Sequence, residues 1–246
     1  MVFYVWRQFL VWLNKSFSEK YVLDGRKNKI FNKRIIMKIP ITLFHGLKDE
    51  VVPLVFSRKI LKICNNKPVS IEVFADNPDA IIKQAVLISK WAKNVYVKIP
   101  IINSKGKFLG KVIKELNKKN INLNITAVYT SKQTKKILNN INKKSKVIIS
   151  IFAGRMADVG KNPIPEIKKS IDLAKKYKNV QILWASVREP YNFLQAEQLG
   201  CHIITVPPLI IEKIEKFGKT FNALTEETVK TFLIDSKKSK FLIKII

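Results

Sequence analysis

The sequence has few of the residues that build metal centres and disulfide frameworks. Its 246 residues include two histidines and two cysteines, too few for a histidine-rich metal site or a disulfide-stabilised scaffold. This cysteine usage is typical of a reducing compartment, and we therefore expect a cytoplasmic protein. No glycine-rich phosphate-binding fingerprint follows any predicted strand, which argues against a nucleotide-binding doubly wound sheet.

Acidic residues are also scarce, with 18 Asp and Glu against 46 Lys and Arg, so the formal net charge is +28. Clustered cations would favour a nucleic acid through counterion release. The basic residues are instead spread along the whole chain without an arginine-rich block. We therefore predict no specific nucleic-acid partner, although a basic surface would attract phosphorylated substrates.

Long hydrophobic runs are missing as well. Residues 1–13 are aromatic and apolar, but this segment is shorter than the roughly 20 residues that a membrane span needs. It also lacks the basic start and small-residue cleavage site of a signal peptide. We predict a helix that packs on the body of the protein, and no membrane association.

Residues 14–63 are hard to assign. Residues 20–25 could form a short strand, and 39–44 form a better one, with a helix predicted over 57–63. The run 39–63 resembles the late strand, acid loop and helix of an α/β-hydrolase, in which Asp49 would match the triad acid. No G-x-S-x-G nucleophile motif occurs and no suitable histidine follows, so hydrolase activity is not expected.

From residue 66 onward, apolar strands alternate with helical patterns, which predicts right-handed βαβ units and a parallel sheet. The predicted helices cover 78–91, 109–118, 131–141, 163–177 and 190–199, and Asp76 or Asn77 is placed to cap the first. The predicted strands cover 69–74, 95–99, 123–128, 147–152, 180–185 and 202–206.

Polar residues recur at equal intervals near the ends of four of these strands: Glu72, Lys98, Asn124 and Ser150. In a (β/α)8 barrel, the carboxyl ends of the strands open onto the face that carries active sites. We therefore predict an α/β fold, a (β/α)8 TIM barrel, with these side chains at its mouth.

Lys98 lies near the end of a strand that reads as buried on both faces, VYVKIP. Burial disfavours the ammonium form and leaves a neutral amine that can attack a carbonyl. The alternative is an edge-strand lysine whose ammonium reaches water along the surface. Two arginines and a serine from the later strands, Arg155, Arg188 and Ser186, could bind a phosphate, because guanidinium groups match phosphate oxygens.

At these residues the sequence resembles the transaldolase family of class I aldolases. The resemblance covers about residues 66–235. It is carried by VSIEV (69–73), VYVKIP (95–100), LNITA (123–127), SIFAGR (150–155), WASVR (184–188) and GCHIITV (200–206).

The resemblance implies transfer of a dihydroxyacetone unit between sugar phosphates in the pentose phosphate pathway, without a metal or cofactor. If the chains associate, we expect a homo-oligomer. Lys98 would form an imine, and Glu72 and Thr126 would hold the water that moves protons. The hydroxyls of the substrate would contact Asn124 and Ser150, and its phosphate would contact Arg155, Ser186 and Arg188.

The residue types at two positions of the predicted site, Glu72 and Phe152, differ between branches of the family. The fructose-6-phosphate aldolase branch tends to carry glutamine at the Glu72 position and tyrosine near Phe152, so this chain resembles transaldolase proper. Aldolase-like cleavage, or an inactive barrel that acts only as a basic binding protein, are the alternatives. We predict that Asp158 is an ordinary loop acid and that Cys201 and His202, at the start of the last strand, are structural residues.

The first quarter departs from the family. The family's first strand ends in a catalytic aspartate that acts in acid–base steps, and Asp24 could be that residue. The Thr-Thr-Asn-Pro signature of the family's second strand is missing, and ITLFHG (41–46) stands in its place. Residues 20–45 either supply divergent strands 1 and 2, or residues 1–63 are a foreign, hydrolase-like segment joined to a transaldolase-like barrel over 64–246. A barrel without two strands would expose its edges.

Overall fold

The computed structural model describes residues 9–12, 41–43, 61, 64 and 67–240. The predicted strand 20–25, Asp24 within it, and Asp49 lie outside these residues. Among the described residues, no helix is both long enough and apolar enough to cross a membrane.

Strands in the described part of the chain pair in sequence order and close into a barrel. Strand β2 is parallel to β3, and parallel pairing continues through β8, whereas β1 runs antiparallel to both of its neighbours. The predicted α/β barrel is confirmed, and its divergence lies in the first strand. The strands are β1 (Phe9–Trp12), β2 (Ile41–Leu43), β3 (Val69–Glu72), β4 (Val95–Pro100), β5 (Leu123–Val128), β6 (Val147–Ile151), β7 (Val180–Trp184) and β8 (Ile203–Val206).

Helices follow the strands as the alternating pattern predicts. Asn77 begins the first helix by accepting hydrogen bonds from the backbone of Asp79 and Ala80, and Thr130 and Gln133 form a reciprocal capping box on the third. The helices are α1 (Pro78–Ser89), α2 (Gly110–Lys118), α3 (Ser131–Leu138), α4 (Ala153–Ala157), α5 (Ile164–Ala174), α6 (Tyr191–Leu199), α7 (Pro208–Ile214) and α8 (Phe221–Ser239).

The helix predicted over residues 1–13 is wrong at Phe9–Trp12, which form β1. Phe9 pairs with Val206 and Trp12 with Ile203, so β1 lies along β8. A parallel sheet that ended at β8 would leave a row of unpaired backbone groups at that edge. Aromatic and β-branched residues favour strands, and β1 satisfies these groups although it runs in the opposite direction.

Alternate residues of the strands face two different cores. On β4, Val95, Val97 and Ile99 belong to the larger core, which the helices share. Tyr96 and Lys98 face the other way, into the barrel. Apolar residues on β4, β6, β7 and β8, with one directly after β7, form a second and smaller cluster, against which Phe152 packs: Tyr96, Ile148, Leu183, Ala185 and Ile203. The interior therefore combines this apolar cluster with the polar side chains near the carboxyl ends of β3 to β6.

Candidate active site

A buried lysine–carboxylate pair lies at the carboxyl ends of β3 and β4. The parallel register places Lys98 directly beside Glu72, and Lys98 Nζ lies 3.2 Å from Glu72 Oε2. Lys98 is only 4% exposed. The surface alternative for this lysine is therefore wrong.

Burial lowers the pKa of the Lys98 amine, because the ammonium loses its hydration. The charge of Glu72 and its hydrogen bond act in the opposite direction and favour the ammonium, but the pKa stays below its usual value. More of the lysine is therefore neutral near pH 7 than in an exposed lysine, and a neutral amine is the form that attacks a carbonyl carbon.

Asn124 is held at both ends of its amide group by serine hydroxyls. Ser150 Oγ donates to Asn124 Oδ1 at 2.7 Å, and Asn124 Nδ2 donates to Ser70 Oγ at 2.9 Å. Sequence reasoning identified Asn124 and Ser150 but missed Ser70. The signal was available, because Ser70 lies two positions before Glu72 and therefore on the same face of β3.

Thr126 lies at an irregular point of β5, where the pairing with β6 shifts register between Ile125 and Val128. Ala127 there has a φ of 59°. Bulges of this kind redirect side chains beside active sites. Thr126 is buried, and among the residues that the structure describes its Oγ1 has no hydrogen-bond partner. This hydroxyl is available to a water molecule or a substrate.

Phe152 and Arg155 follow the end of β6. The Arg155 guanidinium lies 5.6 Å from the centre of the Phe152 ring, within the range of a cation–π contact. The same ring meets Tyr129 edge-on, with 6.0 Å between ring centres. Phe152 is therefore in contact with both Tyr129 and Arg155 at the end of β6.

The Arg188 guanidinium forms an ion pair with the carboxylate of Asp158. Its Nε and Nη2 donate to both oxygens of Asp158, with the shortest contact 2.6 Å from Nη2 to Oδ2. These hydrogen bonds hold the pKa of Asp158 below its usual value. Sequence reasoning took Asp158 for an ordinary loop acid, because nothing local indicates a partner thirty residues away. Any phosphate at Arg188 would share the guanidinium with Asp158.

The loops after β6 and β7 touch through their backbones. A Cβ placed on Gly154 would lie 1.5 Å from the carbonyl oxygen of Ser186, so only glycine fits there. Ser186 is buried and adopts a φ of 67°. This contact fixes α4, which carries Arg155, against the segment that carries Ser186 and Arg188.

The structure thus brings Glu72, Lys98, Asn124 and Ser150 together, and it places Phe152, Arg155, Ser186 and Arg188 on two touching loops. Asp24 lies outside the described residues, so its role stays a prediction. Within the described ranges, no three histidine, cysteine, aspartate or glutamate side chains lie close enough to hold a metal ion.

The opposite end of the barrel has a separate cavity of about 660 Å³ between α5 and α6, lined in part by Lys168, Lys175, Lys178 and His202. The backbone N–H of Ile182 donates to His202 Nδ1 at 3.1 Å. This histidine bonds the adjacent strand and is remote from Lys98, as expected for a structural residue.

The site and the fold together define a class: an α/β barrel with a buried lysine–carboxylate pair at the carboxyl ends of its strands. Residues 46–243 match the family model described as "Transaldolase/Fructose-6-phosphate aldolase". The chain belongs to this family. The match begins after β2, so the two divergent strands lie outside it.

Curated relatives agree with this assignment. The chain is 31% identical over 179 residues to a "Probable transaldolase" of Herpetosiphon aurantiacus, covering 72% of this chain and 74% of the relative. It is 33% identical over 186 residues to a "Probable transaldolase" of Leptospira biflexa, covering 74% and 81%. A third protein of the same description, from Thermoplasma volcanium, is 32% identical over 191 residues, covering 76% and 79%.

Proposed function

We propose that this protein is a transaldolase, which moves a dihydroxyacetone unit from a ketose phosphate to an aldose phosphate through an imine on Lys98. The observation that carries the proposal is the buried Lys98 amine beside Glu72 at the carboxyl ends of the strands. A lysine in this position has a lowered pKa and a neighbouring group that can exchange protons through water.

The reaction begins when the neutral Lys98 amine attacks the carbonyl carbon of the donor. Loss of water from the adduct gives the imine, with Glu72 and Thr126 holding the water that carries the protons. Asp24, as the acid–base residue of this proposal, then takes the proton of the hydroxyl on the fourth carbon of the donor. The bond between the third and fourth carbons breaks, the aldose phosphate leaves as an aldehyde, and the electron pair remains on the enamine. Attack of this enamine on the acceptor aldehyde forms the new carbon–carbon bond, and hydrolysis of the imine frees Lys98.

Arg155, Ser186 and Arg188 bind the phosphate in this proposal. Their loops meet at the barrel mouth, and guanidinium groups form strong hydrogen bonds with phosphate oxygens. Asp158 occupies one edge of Arg188, so a phosphate would approach the guanidinium beside this carboxylate. The formal charge of +28 would attract such substrates to the protein.

An aldolase that releases free dihydroxyacetone is the second candidate, because the family model covers both activities. Glu72 favours the transferase, because the aldolase branch that the sequence resembles less closely tends to carry glutamine at this position. Phe152 also lacks the hydroxyl with which a tyrosine would bind water. We further propose that the enzyme acts in the cytoplasm, in the pentose phosphate pathway, and as a homo-oligomer.

The test compares product formation from fructose 6-phosphate with and without erythrose 4-phosphate as acceptor. A transaldolase produces glyceraldehyde 3-phosphate beyond one equivalent of enzyme only when the acceptor is present, and it forms no free dihydroxyacetone. Lys98→Ala should abolish the reaction, and so should Lys98→Arg, which keeps a cation but not a nucleophilic amine. Free dihydroxyacetone in the absence of acceptor would indicate the aldolase. A parent protein inactive in both assays would indicate a barrel that does not catalyse this reaction.

A further inference from the structure

We propose that Ser70 is a positioning residue for the reaction at Lys98, and that it acts by holding the amide of Asn124. The inference rests on the proposed function, because it concerns how the imine-bearing donor is handled. Ser70 does not contact the substrate in this proposal. Its hydroxyl fixes the orientation of the Asn124 amide, which does contact the substrate.

The geometry is a chain of three side chains from β3, β5 and β6. Ser150 donates to one end of the Asn124 amide and Ser70 accepts from the other, at 2.7 Å and 2.9 Å. All three residues are at most 2% exposed. The last torsion of an asparagine side chain is soft, so two hydrogen bonds at opposite ends of the amide are what keep its plane in one orientation.

The chain of three side chains crosses in front of the strand that carries the lysine. Ser70 is in register with Tyr96, and Asn124 with Lys98. A hydrogen bond from β3 to β5 therefore crosses the interior face of β4 between these two side chains. Asn124 therefore lies beside Lys98, whereas Ser70 lies beside Tyr96, which belongs to the smaller apolar cluster of the interior.

The amide has one N–H and one oxygen lone pair left after its two serine contacts. Because the serines fix the plane, the orientation of these remaining groups is fixed as well, on a residue in register with Lys98. A donor held on Lys98 carries hydroxyl groups beside the imine carbon, and these groups can use the remaining amide positions. Loss of Ser70 would let the amide rotate, which weakens this contact after the imine has formed.

Thr205 offers a matched control. It is also a buried hydroxyl residue of the barrel, on β8, and its Oγ1 contacts the backbone oxygen of Trp184 at 3.4 Å rather than Asn124. Thr205→Val removes a hydroxyl from the same environment without touching the chain of three side chains.

The experiment measures turnover, KM and borohydride trapping for Ser70→Ala, Asn124→Ala, the double variant and Thr205→Val. Ser70→Ala should lower kcat by about 10-fold, the size of one lost hydrogen bond. KM for fructose 6-phosphate and trapping at Lys98 should stay within about twofold. In the Asn124→Ala background, Ser70→Ala should have no further effect on kcat, because its target is gone.

Urea unfolding of each variant separates misfolding from a catalytic effect. If Ser70→Ala does not fold, Ser70→Cys replaces it, because sulfur is a weak acceptor of similar size, and the same loss of kcat is expected. Equal losses with and without Asn124, parent-like kcat, or a loss matched by Thr205→Val would each overturn the inference. Failure of the parent to trap fructose 6-phosphate would overturn the proposed function itself, and with it the role of Ser70.

Discussion

Substituting Gly154 by alanine tests whether the contact between two loops sets the geometry of the phosphate site. The added Cβ would lie 1.5 Å from the carbonyl oxygen of Ser186 and 3.1 Å from Cγ of Arg188. The first distance must widen to at least 3.0 Å, below which real Cβ contacts essentially do not occur. The partner is backbone, so a side-chain rotation cannot relieve the clash.

Helix α4 and the segment after β7 must therefore separate by more than an ångström. Overpacking of this kind costs about 1–3 kcal/mol of folding free energy. The larger effect should be on catalysis, because Arg155 lies on α4 and Arg188 lies on the segment after β7. Separating the two elements moves one arginine relative to the other. A misplacement of about 1 Å can reduce activity on the order of 10²-fold, so we expect that loss in kcat/KM for fructose 6-phosphate.

Gly160→Ala, in the loop directly after α4, is the control. Gly160 has a φ of 71°, and a Cβ added there would meet no atom within 4 Å, so alanine costs about 1–2 kcal/mol of backbone strain without a clash. Urea unfolding should give comparable destabilisation for both variants, whereas steady-state kinetics should show a large loss only for Gly154→Ala. Parent-like kcat/KM in Gly154→Ala, or equal losses in both variants, would refute the reasoning.

Three further predictions concern charged groups. Removing the charge of Glu72 removes an interaction that raises the Lys98 pKa, so Glu72→Gln should shift the pH dependence of imine trapping to lower pH while lowering turnover; a shift to higher pH would contradict the pair's role. Arg155→Ala or Arg188→Ala should each raise KM for phosphorylated substrates, since a charge-assisted hydrogen bond is worth about 1.5–3 kcal/mol; unchanged KM in both would place the phosphate elsewhere. Asp24→Asn should lower turnover by about 10²–10⁴-fold with trapping largely intact, because proton transfer and attack by the amine are separate steps. Parent-like turnover would mean that another group takes the proton of the donor hydroxyl.

Much of the barrel could be predicted from sequence because it depends on local patterns. Buried parallel strands have continuous apolar runs, and β3 to β8 overlap the predicted strands. The equal spacing of Glu72, Lys98 and Asn124 predicted neighbouring positions, and the register confirms that these residues are adjacent. Parallel pairing turns such spacing directly into proximity.

The features that were missed depend on partners distant in sequence. Phe9–Trp12 form a strand that pairs with the edge of β8, a partner about 190 residues away that no local pattern reveals. The Asp158–Arg188 pair and the Ser70–Asn124 hydrogen bond require side-chain geometry that spacing alone does not supply.

Residues 1–63 also show that pairing between distant segments is hard to predict from sequence. Ile41–Leu43 pair with β3 and occupy the second position of the closed barrel, as expected if residues 20–45 include a divergent strand 2. The first position is filled by Phe9–Trp12, and the strand predicted over 20–25 lies outside the described residues. The division of the chain into 1–63 and 64–246, and the foreign origin of the first part, stay predictions.

The most direct measurement is borohydride reduction of the protein in the presence of fructose 6-phosphate, followed by peptide mass spectrometry. The imine mechanism predicts one irreversibly attached three-carbon dihydroxyacetone fragment, located on Lys98 and absent from Lys98→Ala. Lys93, whose side chain is at the surface after α1, provides the matched control, because Lys93→Ala should be labelled like the parent. Equal labelling of Lys98→Ala and the parent, or attachment at another lysine, would contradict the mechanism.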